Sequence, residues 1–229
     1  MPGASEQPVL VFWYGGGWAS GRKEDYGFVA RALAAHGFVV VLPDYRLVPD
    51  AHFPDFIEDG ARALRWVQEG IEAFGGDAKR VGVCGHSAGA HLALLLALDH
   101  RYLRVTGARD NLIKAAAGLA GPYDFLPLSG PLVRAAMGRV RNPAATQPVT
   151  FVRGDAPLLL LATGSEDRLV SPRNARTLAA RITQAGGRAE LREYPGLNHV
   201  DPLLALSRPF RRRAPVVDDL VRFFTESLA

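Results

Sequence analysis

Gly85-His86-Ser87-Ala88-Gly89 lies between a short β-branched run, residues 80–84, and a stretch of small and apolar residues, 88–98, that reads as a helix. Glycines at 85 and 89 let the chain turn sharply from strand to helix with Ser87 in a strained conformation, because side chains there would collide with neighbouring elements. A serine at such an elbow stands above the edge of a sheet. The amide of Ala88, opening the helix, has no helical acceptor and points toward any negative oxygen formed at the serine. The chemistry this spacing suits is attack of a hydroxyl on a carbonyl carbon.

Three other loops carry groups such a serine would need. Tyr14-Gly15-Gly16-Gly17-Trp18 follows the first strand-like run, and consecutive glycines let main-chain N–H groups approach a ligand without interference from Cβ. The phosphate-loop spacing G-x-x-x-x-G-K-[ST] and the dinucleotide spacing G-x-G-x-x-G are both absent, so the loop is expected to hold an oxyanion rather than a nucleotide. In Gly164-Ser165-Glu166-Asp167-Arg168, after the apolar run 158–162, Asp167 is the expected partner of a histidine, with Glu166 as its competitor. His199 follows the last strand-like run, where a loop can return an imidazole over the serine. The order Ser87, Asp167, His199, each past the carboxyl end of a strand, is the one expected where open α/β sheets place a serine site. His86 and His91 flank the elbow and read as structural, His36 and His100 end helices, and His52 lies in a loop.

Strands and helices must alternate to position these loops. Strand-like runs occupy residues 8–14, 38–42, 80–84, 115–120, 158–163 and 189–194. Helical patterns occupy 24–36, 54–74, 88–98, 171–185 and 215–227. This alternation predicts an α/β fold of about six strands, mostly parallel, joined by right-handed crossovers. Residues 122–156 break the rhythm with five prolines and one short helical pattern at 132–138, and read as a lid or cap inserted into a single domain spanning 1–229.

Composition narrows the function classes. With 48% hydrophobic and 22% charged residues, 229 residues can enclose one core, and the single cysteine, Cys84, excludes an intrachain disulfide and a cysteine-based zinc site. The net charge of +4 is a modest excess, and Arg211-Arg212-Arg213 reads as a solvated flank of the terminal helix, so no nucleic-acid partner is expected. No apolar stretch approaches the length of about 20 residues that spans a bilayer, and Met1 to Gln7 shows no export signal. A cytoplasmic setting without membrane association is the expectation.

The chain resembles α/β-hydrolase esterases and lipases of the hormone-sensitive-lipase group, and is similar to small carboxylesterases and kynurenine-formamidase-like enzymes. Besides the elbow and the glycine loop, the resemblance rests on Asp44-Tyr45-Arg46-Leu47-Val48-Pro49, on Phe53-Pro54 and Glu58-Asp59 leading into Ala63-Leu64-Arg65-Trp66-Val67, and on Leu191-Arg192-Glu193-Tyr194-Pro195-Gly196 before His199. It implies Ser87 as nucleophile, Asp167 as acid and His199 as base. The oxyanion amides fall on Gly16, Gly17 and Ala88, with Gly15 as a third member of the loop. Two departures stand out: Tyr14 replaces the usual histidine, and the glycine loop begins too early for the two antiparallel strands that usually precede it.

The implied reaction is hydrolysis of a small-molecule ester of short or medium acyl chain through an acyl-enzyme, with no metal or organic cofactor. Trp18, Tyr123, Phe125 and Leu126 are expected to line the pocket. An amidase acting on N-formylkynurenine is the alternative reaction, and a non-catalytic binding protein on the same fold is the alternative of another class. An exposed final strand and terminal helix could serve a homodimer.

Overall fold

Apolar residues on both faces make β1 (Gln7–Trp13) an interior strand: Val9, Val11 and Trp13 pack into one layer of core, Leu10 and Phe12 into the other. The computed structural model describes residues 6–229. Residues 1–5 lie outside the described residues, and with them most of the segment read as lacking an export signal. On either side of β1, in parallel, run β2 (Val39–Val41) and β3 (Gly76–His86). Beyond β3 come β4 (Ile113–Leu119), β5 (Leu158–Gly164) and β6 (Ala189–Tyr194), giving the order β2-β1-β3-β4-β5-β6. The six strands correspond to the six expected. Among the described residues every pairing is parallel, and no antiparallel strand precedes the glycine loop.

In chain order the helices are α1 (Gly27–Ala34), α2 (Asp55–Gly70), α3 (Ala88–Leu98), α4 (Arg101–Thr106), α5 (Pro131–Met137), α6 (Arg173–Gln184), α7 (Asp201–Leu204) and α8 (Val216–Ser227). Val29 and Leu33 of α1 and Leu220, Phe223 and Phe224 of α8 cover one face of the sheet; α2, α3 and α6 cover the other. All eleven residues of α3 are buried, as its uniformly small and apolar sequence requires of a helix between a sheet and a second layer. Sequence periodicity did not indicate α4 and α7, which are too short to show a repeat; α4 buries only Leu103.

The segment between β4 and β5 holds α5 and two 3₁₀ turns, Pro143–Thr146 and Pro148–Phe151. It is tied down at several points. Asn174 Oδ1 accepts from the amides of Tyr123 and Asp124, Gln147 Oε1 accepts from Phe125 N, and Ala136 O accepts from Phe53 N, all at 2.7–2.8 Å. His91, buried in α3, donates from Nε2 to the Thr146 carbonyl at 2.7 Å.

Burial pushes the His91 imidazole down to about 4 from its usual 6.5, because the charged form would lose its solvent. The unfolded chain therefore takes up more protons than the folded one between about pH 6.5 and pH 4. The stability His91 contributes is fully present above that window and is lost as the pH falls through it. His91→Gln keeps a donor for the Thr146 carbonyl and removes the titration. Its melting temperature should fall less steeply than that of the parent between pH 6.5 and pH 4; equal slopes in a pH series of thermal melts would remove His91 from the linkage.

Candidate active site

Ser87 sits between the end of β3 and the start of α3 with φ 53° and ψ −118°, a backbone conformation that costs a non-glycine residue of the order of 1–3 kcal/mol. Its neighbours explain how the turn closes. A Cβ on Gly85 would lie 2.3 Å from the main chain of Gly89, and one on Gly89 would lie 2.1 Å from the Trp13 carbonyl, so only glycine lets strand and helix approach this closely. The Leu119 carbonyl accepts from the Ser87 amide at 2.8 Å, fixing the elbow to the end of β4.

Asp167 follows β5, and its two carboxylate oxygens divide their work. Oδ1 accepts from the amides of Leu169 and Val170 at 3.0 and 2.8 Å, while Oδ2 accepts from His199 Nδ1 at 2.8 Å. The Asp167 side chain is 0% exposed. Glu166, the competing acid, faces solvent, and the carboxylate that meets His199 is that of Asp167. His199 lies in the loop after β6, and Ser87 Oγ donates to its Nε2 at 2.9 Å. The acid and histidine loops touch through their backbones: a Cβ on Gly164 would lie 2.2 Å from the Leu197 carbonyl. Residues separated by 112 positions in sequence thus share one chain of hydrogen bonds.

The glycine loop lies beside the serine. Gly16 and Gly17 have φ of 124° and 62°, and both line the same cavity as Ser87 and Ala88. Gly15 does not. A Cβ there would lie 2.9 Å from His86 Nδ1 and 3.1 Å from the Cβ of Ser87, so Gly15 sits behind the cavity wall, between the elbow and the loop. Tyr14, which replaces the usual histidine, stacks on Tyr45 with ring centroids 4.7 Å apart, and the Tyr45 hydroxyl donates to the Tyr14 carbonyl at 3.0 Å. Val48 N donates to the Trp18 carbonyl at 2.9 Å. The Asp44–Pro49 motif is therefore a brace for the glycine loop. Arg46 anchors that brace to α2 through Asp59, with Nε 2.8 Å and Nη2 3.0 Å from its two oxygens.

The cavity over Ser87 holds about 730 Å³. Trp18 and Phe125 line it, with their rings stacked 6.2 Å apart. Tyr123 and Leu126 do not, which corrects two of the four expected pocket residues. Tyr123 is fully buried, its hydroxyl turned toward Gly118 and Gly121, while Leu126 is 43% exposed and is not part of the cavity wall. Alternation along a loop has no fixed period, so the sequence could not tell these neighbours apart. It also missed Tyr26, Val170 and Asn174, which line the cavity from segments bearing no motif. Leu132 and Val133, by contrast, lie in the segment read as a lid. Among the described residues no Asp, Glu, Lys or Arg lines the cavity, and no cluster of His, Cys, Asp and Glu is arranged to hold a metal ion. No helix of the described residues is long and apolar enough to cross a membrane.

Known proteins share this architecture. The chain is 33% identical to esterase LipC of Mycobacterium tuberculosis over 86% of its own length and 54% of that protein. It is 31% identical to esterase LipQ of the same organism over 93% and 55%. It thus spans about half the length of these relatives. A truncated form of a carbohydrate esterase from gut microbiota superposes with a TM-score of 0.84 at 20% identity, over 99% of this chain and 87% of that one, a likeness of fold. The BD-FAE family model matches residues 2–182, taking in the glycine loop, the elbow and Asp167 and stopping before His199. On that match the chain belongs to the BD-FAE family, built on the α/β-hydrolase fold of the hormone-sensitive-lipase-like esterases.

Proposed function

We propose that the chain is a serine hydrolase that cleaves carboxylic esters of short to medium acyl chain. The observation that carries this reading is the continuous relay from Ser87 Oγ to His199 Nε2 and from His199 Nδ1 to Asp167, at 2.9 and 2.8 Å. In this reading His199 takes the proton from Ser87 as the hydroxyl attacks the ester carbonyl, and Asp167 holds the tautomer with Nε2 free and stabilises the imidazolium that forms. The amides of Gly16, Gly17 and Ala88 receive the negative oxygen of the tetrahedral intermediate. The alcohol leaves with the proton from His199. Water, deprotonated by the same imidazole, then releases the acid from Ser87. Residues 1–229 act as one domain in this proposal, with 122–156 forming the cap whose Pro131, Leu132 and Val133 roof the cavity.

Ser87→Ala should lower kcat on p-nitrophenyl acetate by roughly 10⁴-fold or more. A fluorophosphonate probe should label the parent and leave the variant unlabelled. An active variant, or an unlabelled parent, would overturn the assignment, and the latter would favour a binding protein.

Cavity size and lining set the substrate class. The acyl and alcohol parts must share about 730 Å³ of mostly apolar space, which favours modest substrates. The butyrate or hexanoate ester of p-nitrophenol should be hydrolysed with higher kcat/KM than the palmitate ester; faster palmitate turnover would contradict the reading.

A substrate carboxylate would meet no cationic side chain in the cavity, and burying an unpaired charge is costly. The methyl ester of a p-nitrophenyl succinate should therefore be cleaved at its aryl ester bond about 10-fold or more faster than the corresponding free acid, about 1.4 kcal/mol in the transition state. Equal rates would show that the charge stays in water during turnover.

A further inference from the structure

One buried titratable side chain at the site has no part in the mechanism above. His86, next to the nucleophile, is 4% exposed, and its Nε2 lies 3.0 Å from the main-chain carbonyl oxygen of His199. The two imidazole rings are 5.0 Å apart between centroids. Because a carbonyl only accepts, the proton must be on Nε2, leaving Nδ1 bare. Among the described residues Nδ1 has no partner, and it faces Gly15, where a Cβ would approach to 2.9 Å. The ring is therefore wedged between the glycine loop and the histidine loop.

The histidine loop is also tied before and after His199: Leu197 O accepts from Glu166 N at 3.0 Å and Ser165 Oγ accepts from Gly196 N at 2.9 Å. Asn198 N donates to Asp201 Oδ2 at 2.9 Å, Asn198 Oδ1 accepts from the amides of Val200 and Asp201, and Asp201 pairs with Arg213. These bonds shape the turn without reaching the main chain of His199. Among the described residues, the His199 carbonyl takes its hydrogen bond from His86.

We propose that His86 is a positioning residue: its Nε2–H fixes the backbone of His199, and so keeps the His199 imidazole at hydrogen-bonding distance and angle from Ser87 Oγ. The inference rests on the reading of Ser87 and His199 as nucleophile and base. A 1 Å drift of a reacting group can cost on the order of 100-fold in rate, so one anchoring bond at this place has leverage. The role also needs an uncharged ring. A cation 5.0 Å from the imidazole that must accept the serine proton would oppose that transfer. Burial supplies the neutrality, pushing His86 down to about 4 from 6.5.

The test compares His86→Leu, which removes the donor at similar bulk, with His86→Gln, whose side-chain amide can donate to the same carbonyl. On p-nitrophenyl butyrate, His86→Leu should lower kcat by about 10- to 100-fold with KM little changed, and His86→Gln should recover most of the loss. Parent-like kcat in His86→Leu, or equal impairment of both variants, would overturn the role. Nitrogen-15 NMR of the parent gives a second readout that needs no variant to fold: His86 should be a neutral Nε2–H tautomer at pH 7, and an imidazolium or an Nδ1–H tautomer would sink the proposal. The two levels separate cleanly. An active Ser87→Ala defeats the nucleophile assignment itself, whereas an inactive Ser87→Ala beside an unslowed His86→Leu defeats only the positioning role.

Discussion

The hydrogen bond between Ser87 and His199 depends on parallel strand pairing more than on anything local to either residue. Each strand must end at the same edge of the sheet for the loops after β3, β5 and β6 to meet there. The register brings Gly85 of β3 level with Gly118 of β4, and Gly118 level with Leu161 of β5. Main-chain contacts then set the remaining distances. At Gly85, Gly89 and Gly164 one backbone lies against another with no room for a methyl group, so these separations are fixed by peptide geometry rather than by adaptable side chains.

Around this frame the electrostatics follow a simple division. Much of the charge pairing lies at the periphery, as in Arg46 with Asp59 and Arg176 with Glu193, where solvent and salt weaken it and its effect is orientation; Asp99 and Asp201 are buried carboxylates paired with the partly exposed Arg101 and Arg213. Inside, the carboxylate of Asp167 is satisfied by two amides and an imidazole. Burial pushes the Cys84 thiol, beneath the elbow, up to about 12, so it is a packing group there rather than a reactive thiolate.

How far this arrangement is legible in the sequence varies with the length scale of the signal. Strands such as 158–163 are legible because the apolar run is short and bounded by Pro157 and Gly164, whereas the longer apolar run 88–98 forms α3. The elbow is legible because its steric demand selects residue types at adjacent positions. Asp167 could not be separated from Glu166 by spacing alone. The difference is that one carboxylate turns inward onto the Leu169 and Val170 amides, and only the folded loop shows it. His86 is the sharpest case. Its role depends on a carbonyl 113 positions away, and a main-chain oxygen leaves no trace in residue identity. The cavity wall escaped because it is assembled by packing: Tyr26, in the 3₁₀ turn that leads into α1, and Asn174 of α6 are brought in from elements on opposite faces of the sheet.

The left-handed backbone at Ser87 carries a further meaning. A φ of 53° with ψ of −118° is a region that glycine enters freely and serine does not. At this one position the amino acid that the proposed chemistry requires is not the one that best suits the fold. Glycine in the elbow would relieve that strain and make the folded chain harder to melt, so on the proposed reading the hydroxyl at this position is kept at a cost in durability.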